Sequence, residues 1–279
     1  MEARPKRAAG PPDFIGVGTL QAGTAWWHDL LLRHPEIDSP RRRERSLHFF
    51  DQFCSREMSD DDVAEYHRSF ARRRPGHVTG EWTSRYSYDP WTPPLLRRAA
   101  PEAKLIVMVS DPIERYRRRL GRELALAEGD EEQLYMADAA GRGHYATQLR
   151  QLFAFNDPDR VLVLQYERCQ ADPFGQYART CRFLGVDDGF VPRRLRRQVA
   201  RDFQPPAWAR ALRRAGVLPV LMKLAGRTPQ GEPADLWPDI EASLHSDLDP
   251  EVAELAEMVP DLDLALWPNF APVGAASRA

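Results

Sequence analysis

Residues 19–25, with the sequence TLQAGTA, follow a short apolar run and precede a helical pattern. A glycine-containing turn between a strand and a helix can hold a phosphate or sulfate, because the N–H groups of the first helical turn point toward the anion. The predicted anion-binding residues of this loop are Gln21, Ala22, Gly23, Thr24 and Ala25. Gln21 stands where such a loop would be expected to carry a cation. Its amide can still donate a hydrogen bond to an anion, but it carries no positive charge.

Two side chains further along the chain could accept a proton. His48 lies in the apolar stretch LHFF, and imidazole titrates near neutral pH. Glu81 follows Gly80 at the end of a predicted strand, where α/β proteins collect their functional groups. His48 and Glu81 are therefore the candidate catalytic bases. The alternatives are a hydrogen-bonded core histidine and a structural ion pair.

Aromatic residues flank both predicted sites and could form the wall of a cavity. Of the pair Trp26 and Trp27, one is expected in the core and the other, Trp26, against a substrate. Trp82 directly follows Glu81 and would offer an apolar or cation-binding surface. Tyr86 completes the predicted substrate-binding set.

The elements that must position these residues alternate between strands and helices. Residues 13–19, HVTGEW, KLIVMV and RVLVLQY are predicted as strands, and KLIVMV is apolar throughout, as in a strand buried on both faces. Helices are predicted over 24–34, in DDDVAEYHRSFARRR, TPPLLRRAA and SDPIERYRRRL, over 142–155, and in PFGQYARTCRFLG. In SDPIERYRRRL, Asp111 is expected to cap the helix. The pattern predicts an α/β domain with a central parallel sheet flanked by helices, opened by a P-loop-like strand–loop–helix.

Composition narrows the classes of protein. The net charge of −2 gives no electrostatic case for nucleic acid, and the three cysteines show no metal-binding spacing, so no metal site is predicted. Without a long apolar run or an apolar leader, we expect a cytoplasmic protein with no membrane contact. Residues 1–12 are expected to form a tail and 13–279 one domain. Homo- or hetero-oligomers with a related chain remain open.

Several segments, in order along nearly the whole chain, resemble the PAPS-dependent sulfotransferase superfamily, particularly its bacterial and glycan-type branch. PAPS is 3′-phosphoadenosine 5′-phosphosulfate. GTLQAGTAWW resembles the family's PKxGTT loop, RSLHFFD its KELHFFD segment and GEWTSRY its GEKTPSY segment. SDPIERYRRRL resembles RNPxERAYSHY, and the passage over 144–173 resembles the family's helix–strand–YEDLLADP region. The resemblance implies the sulfotransferase fold and in-line attack of a hydroxyl or amine on a sulfuryl group.

At the positions that would bind the nucleotide, the charged groups of the family are largely replaced. The loop lysine corresponds to Gln21, the arginine before Asp-Pro to Ser110, and the later serine to Arg118. Ser110 and Arg118 therefore stand at the family's contacts to the 3′-phosphate. Arg115 is a further cofactor-binding candidate, which could face an anion or lie on a solvated face of the helix. Ser110 and Arg118 exchange the family's residue types, but eight residues of helix span about 12 Å, which argues against compensation. Further compensating arginines could come from 41–43, 45, 117 and 119. The glutamate and lysine near the acceptor correspond to Ser46 and Trp82.

Three functions follow as hypotheses. The first is a small-molecule tailoring enzyme of secondary-metabolite type that has lost PAPS binding and expels sulfate from an already sulfated substrate by elimination or internal displacement. The second is a PAPS-dependent sulfotransferase acting on a small-molecule hydroxyl or amine. The third is a non-catalytic partner subunit, with an interface built from the arginines of 193–213 and from Trp208, Trp237 and Trp267. PAPS or its product PAP is expected as a ligand only under the second.

Overall fold

The computed structural model describes residues 10–40, 46–70, 75–123, 137–196 and 237–271. Five strands form one parallel sheet in the order β2-β3-β1-β4-β5. The strands are β1 Phe14–Gly18, β2 Ile37–Asp38, β3 Val78–Trp82, β4 Lys104–Val109 and β5 Val161–Gln165. The predicted parallel α/β sheet is confirmed. The two-residue edge strand β2 has no apolar run in the sequence that would indicate it.

The helices that connect the strands cover both faces of the sheet. They are α1 Thr24–Leu31, α2 Asp60–Arg68, α3 Thr92–Ala99, α4 Pro112–Glu123, α5 Tyr145–Phe153, α6 Tyr166–Ala171, α7 Pro173–Leu184 and α8 Trp237–Met258. Short 3₁₀ turns occur at Phe50–Cys54, Pro158–Arg160 and Leu264–Leu266. None of the helices in the described ranges has a stretch long and apolar enough to cross a lipid bilayer.

Alternation along β4 assigns its side chains to two separate apolar clusters. Leu105 and Val107 join a cluster with residues of α5 and α8, whereas Ile106 and Met108 join one with Trp27 and the residues of α7. Successive side chains of a strand point to opposite faces, so a wholly apolar strand packs helices on both sides. The β1–β4 pair is thereby held at the centre of the fold.

The start of α4 and the end of α7 each have a residue type that is typical of a helix end. Asp111 caps α4, because its Oδ1 accepts from the backbone N–H groups of Ile113 and Glu114 at 3.0 and 3.1 Å. Gly185 ends α7 in the left-handed conformation, with φ of 80°. The predicted Asp111 cap is confirmed, and Gly185 is the last residue of the predicted helical segment PFGQYARTCRFLG. Because parallel strands end at the same edge of the sheet, the segments that follow β1, β3, β4 and β5 meet there.

Candidate functional site

The loop between β1 and α1 is tied to the sheet and turns sharply before the helix begins. The Thr19 hydroxyl donates to the carbonyl of Met108 on β4 at 2.8 Å. Gly23, immediately before α1, has φ of 83°, and a Cβ there would lie 2.3 Å from the ring of Tyr166. Glycine is therefore required at this position. The first N–H groups of α1 have no acceptor within the helix, so this end of α1 can donate to an anion.

Gln21 brings no charge to this loop. Its backbone is left-handed, with φ of 65°. Its side-chain Oε1 is buried and accepts no hydrogen bond from the residues that the structure describes. This oxygen only accepts hydrogen bonds, so an oxyanion cannot satisfy it, whereas a ligand group that donates a hydrogen bond would. The Gln21 amide can donate to an oxyanion, but it supplies none of the attraction that a lysine would.

The second strand–helix element does carry a cation. Arg118 on α4 donates from Nη2 to the Oγ of the fully buried Ser110 at 3.1 Å, and Arg118 itself is exposed. The expectation that 12 Å of helix would separate these two groups is wrong. Side chains on a helix lean toward its N-terminus, and the long arginine chain spans the remaining distance. Ser110 and Arg118 thus form one polar site despite the exchange of residue types.

Tyr166, the first residue of α6, connects the two elements. Its ring covers Gly23, and it lies edge-on to Trp26 with 6.2 Å between ring centroids. The guanidinium carbon of Arg118 lies 5.6 Å from the centre of the same ring, within the range of a cation–π contact. Tyr166 therefore lies between the loop of residues 19–25 and Arg118, and we call this part of the molecule the cradle.

Arg115 lies neither on a solvated face nor in an exposed anion site. The side chain is completely buried, and its Nη2 donates to the carbonyl of Ala139. An arginine in this position stabilises the packing of α4 against the chain around Ala139. The placement gives Arg115 a structural role, and it leaves Arg118 as the described arginine that contacts Ser110.

His48 is at the surface rather than in the core, and it is paired with a carboxylate. Its Nδ1 lies 2.8 Å from Oδ2 of Asp51, and 59% of the side chain is exposed. A carboxylate on one ring nitrogen fixes the ring and leaves the other nitrogen to accept a proton. The three-residue spacing between His48 and Asp51 is the sequence signal for this pair.

Glu81 is buried and fully engaged with neighbouring donors. Its carboxylate accepts from the hydroxyls of Thr83 and Tyr66 at 2.6 and 3.1 Å. The backbone N–H of Leu47 also reaches it, at 3.4 Å, and that of His48 donates to Thr83 at 3.3 Å. Burial raises the pKa of Glu81, although these donors act in the opposite direction. The arrangement positions the segment that carries His48, and the enclosed carboxylate is a poorer candidate for the base.

The three predicted substrate-binding aromatics differ in accessibility. Trp26 is half-buried beside Tyr166. Trp82 is buried, lies against Gly16 and donates from Nε1 to the carbonyl of Gly18 at 3.2 Å. Tyr86 is completely enclosed in the core, where its hydroxyl accepts from the N–H of Phe49 at 2.9 Å. Burial excludes direct contact between Tyr86 and a substrate in this structure, so that assignment is corrected.

A cavity of about 70 Å³ lies between α1 and the segment after β3. Its lining combines hydroxyl groups, an indole and two titratable residues of α1: Thr24, Ala25, His28, Asp29, Leu32, Ser46, Trp82 and Ser84. The Ser46 hydroxyl donates to the carbonyl of Trp82 at 2.9 Å, so the two positions that replace the family's charged pair are in contact. His28, Asp29 and Ser84 were not predicted from the sequence.

Part of the predicted site lies outside the described residues. This holds for the arginines 41–43 and 45, for the side chains of Arg119 and Trp237, and for the proposed interface beyond residue 196. Trp267 is described and is buried in the core, with its Nε1 donating to Glu167 at 2.8 Å. It is therefore not available to a partner. The described residues contain no group of three or more potential metal ligands.

A family comparison identifies the chain. The sequence profile of the Sulfotransferase family matches residues 12–189, which include the anion-binding loop, His48, Ser110 and Arg118. The chain is 28% identical over 196 residues to heparan sulfate glucosamine 3-O-sulfotransferase 6 of Mus musculus and of Homo sapiens. The match covers 64% of this chain and 55% of each relative, so the chain spans about half the length of those proteins.

A solved structure extends the likeness in fold. The crystal structure of a sulfotransferase from Alicyclobacillus acidocaldarius superimposes with a TM-score of 0.63, at 20% identity. The superposition covers 92% of this chain and 99% of that one. At this identity the likeness establishes the fold, and the chemistry has to be argued from the site.

Proposed function

The chain belongs to the sulfotransferase family, and from that premise we propose that it transfers a sulfuryl group from PAPS to a hydroxyl or amine of a small molecule. The observation that carries this proposal is the contact between Arg118 and Ser110 at 3.1 Å. It supports a cationic site for the 3′-phosphate, formed with the two residue types exchanged along α4. Charge-assisted hydrogen bonds of guanidinium to phosphate are among the strongest in proteins.

The residues of the cradle fit the nucleotide at both ends, although unequally. Arg118 and Ser110 would hold the 3′-phosphate. The N–H groups at the start of α1 and the Gln21 amide would hold the 5′ end, where the left-handed Gly23 allows a close approach of the backbone. The buried, unpartnered Oε1 of Gln21 marks the weaker end. When bound, PAPS supplies the activated sulfuryl group.

His48 is the group we assign to the acceptor proton. With Nδ1 beside Asp51, Nε2 is the nitrogen that would accept the proton, and the exposed ring is accessible from solvent. Asp51 keeps the ring oriented and stabilises the positive charge that the ring gains. Glu81 and Thr83 accept from the backbone N–H groups of Leu47 and of His48 itself, so they would position the base without touching the substrate.

A second candidate is favoured by the neutral loop. With Gln21 in place of a cation, the loop would bind an anion weakly. Weak binding suits a departing sulfate better than it suits a nucleotide, which must stay bound. In that reaction the C–O bond of a sulfate ester would break, sulfate would leave with the electron pair, and His48 would take a proton from the neighbouring carbon or from an internal nucleophile. We rank it second because Arg118 restores a cation at the other end.

Calorimetric titration with PAP separates the two candidates. Under the first, PAP binds with micromolar affinity and the protein sulfates an acceptor only when PAPS is supplied. Absence of PAP binding, together with sulfate release from a sulfated small molecule, would contradict the first and support the second. Under the first, Arg118→Met should weaken PAP binding, and Arg117→Met is its matched control, since Arg117 lies next to Arg118 but pairs with Glu114 and Glu241.

A further inference from the structure

A second concave surface, which we call the arginine groove, lies where the end of α1 meets residues 187–196. It encloses about 690 Å³. Four guanidinium-bearing residues line it, namely Arg33, Arg193, Arg194 and Arg196, together with Phe190 and Asp187. Asp187 is the one carboxylate among its described lining residues. The lining thus carries more positive than negative side chains, on a chain whose net charge is −2.

The backbone that carries these arginines is anchored to the core. The Nε2 of buried His34 lies 2.8 Å from the carbonyl oxygen of Asp187, and its ring packs edge-on against Phe190 with centroids 4.9 Å apart. Leu195, between two of the arginines, is completely buried. An anchored backbone confines the guanidinium groups to the groove, and ligand sites are more selective when rigid elements support them.

Three carboxylates lie at or beside the groove, against its four arginines: Asp187 in the lining, Asp29 paired with two of the arginines, and Glu36, whose Oε2 accepts from the backbone N–H of Asp187 at 2.8 Å. Arg33 and Arg194 share one partner, Asp29, at 3.3 and 2.6 Å. Arg193 and Arg196 are exposed, and neither forms an ion pair with another residue of the described chain. Gathering like charges without partners is unfavourable, and a bound anion would relieve the repulsion. Planar guanidinium groups match the oxygens of sulfate, phosphate and carboxylate groups.

Asp29 also connects the groove to the small cavity beside Trp82, because it lines that cavity while accepting from two groove arginines. The two concave surfaces are therefore neighbours along α1. We propose that the arginine groove binds an anionic group of the acceptor, remote from the hydroxyl or amine that reacts. That the bound molecule is a sulfuryl acceptor rests on the proposed function, whereas the binding of an anion depends only on the residues of the groove.

The test measures binding without turnover. Calorimetry on the full chain, with no nucleotide present, would compare 1-naphthyl phosphate with neutral 1-naphthol. We expect the phosphate to bind and the double variant R193Q/R196Q to weaken it by about tenfold or more, as losing two charged hydrogen bonds should. R182Q is the control, because Arg182 is exposed, lies on the same region of the chain and pairs with Asp188 instead. It should leave the affinity unchanged.

The outcomes that overturn the inference are specific. Equal affinity for phosphate and naphthol, or unchanged phosphate binding in R193Q/R196Q, would show that the groove is not an anion site. Loss of binding in R118M would place the phosphate in the cradle instead and also overturn it. All these arginines are exposed, so thermal unfolding should match the wild type and exclude a folding defect. Failure of PAP to bind would contradict the proposed function and leave this measurement unaffected.

Discussion

At one end of the cradle the guanidinium of Arg118 lies against Ser110, whereas at the other end the loop before α1 presents backbone N–H groups and the uncharged amide of Gln21. Both ends differ from the family's motifs at the positions that hold phosphate. On α4 the arginine stands eight residues later than in the family's motif, but its long side chain brings the guanidinium back to Ser110. In the loop the cation has no described replacement.

The difference teaches that a motif with the wrong residue type can keep or lose its chemistry depending on the element that carries it. A helix offers a second position whose side chain reaches back over one or two turns. A short loop with left-handed residues at Gln21 and Gly23 offers few such positions, since most side chains are strained there. We infer that the cradle grips a nucleotide asymmetrically, more firmly by its 3′-phosphate.

The largest expected effect separates binding from chemistry. Replacing His48 by Gln should lower kcat by about a hundredfold or more, which is the usual contribution of a positioned base. The affinity for PAP should stay unchanged. Initial rates and calorimetry on the same preparation check this. Asp51→Asn, which keeps the size of the partner but removes its charge, should give a smaller loss. Wild-type kcat in H48Q would remove the histidine from the mechanism.

Breaking the stronger end is the next test. Arg118→Met should weaken PAP binding about thirtyfold or more, because losing a charged partner of phosphate costs about 2 kcal/mol or more. Arg117→Met should not change it. Isothermal titration with PAP measures both. The double variant S110R/R118S restores the family's order of the two residue types. It should recover most of the affinity for PAP that R118M loses, if the two orders are equivalent. Equal affinity of R118M and wild type would contradict the asymmetry.

The weaker end can be strengthened instead. Gln21→Lys introduces the missing cation and should tighten PAP binding by about tenfold, in line with one additional charged hydrogen bond. Gln21→Met is the control for loss of the amide and should bind no more tightly than wild type. If Q21K leaves the affinity unchanged, the loop does not face the nucleotide.

The smallest effect concerns two carboxylates away from solvent, Glu81 on β3 and Glu167 on α6. Burial raises the pKa of both above the ordinary value of 4.5. The folded state therefore binds these protons more tightly than the unfolded state, and stability falls as pH rises from about 4.5 through the folded pKa. Urea denaturation across this range should show a shallower decline for Glu81→Gln than for wild type. Parallel curves would show that Glu81 does not titrate as argued.

The sheet, its helices and the Asp111 cap could be predicted because each depends on local signals: apolar runs, a capping residue, a glycine after a helix. The expected separation of about 12 Å between Ser110 and Arg118 was wrong, because it is a distance along the helix backbone and the arginine side chain spans it. The burial of Tyr86 and Arg115 could not be predicted, since it depends on which face of each segment meets the core. The pairing of His48 with Asp51 was accessible from spacing, whereas the arginine groove joins segments more than 150 residues apart.

The most direct test of the account is a crystal structure of the protein with PAP. We predict that the 3′-phosphate lies within hydrogen-bond distance of the Arg118 guanidinium and the Ser110 hydroxyl, with the 5′ end at the start of α1. A 3′-phosphate held by other groups, with Arg118 still turned to Ser110 alone, would contradict the claim that the exchanged pair forms the nucleotide site.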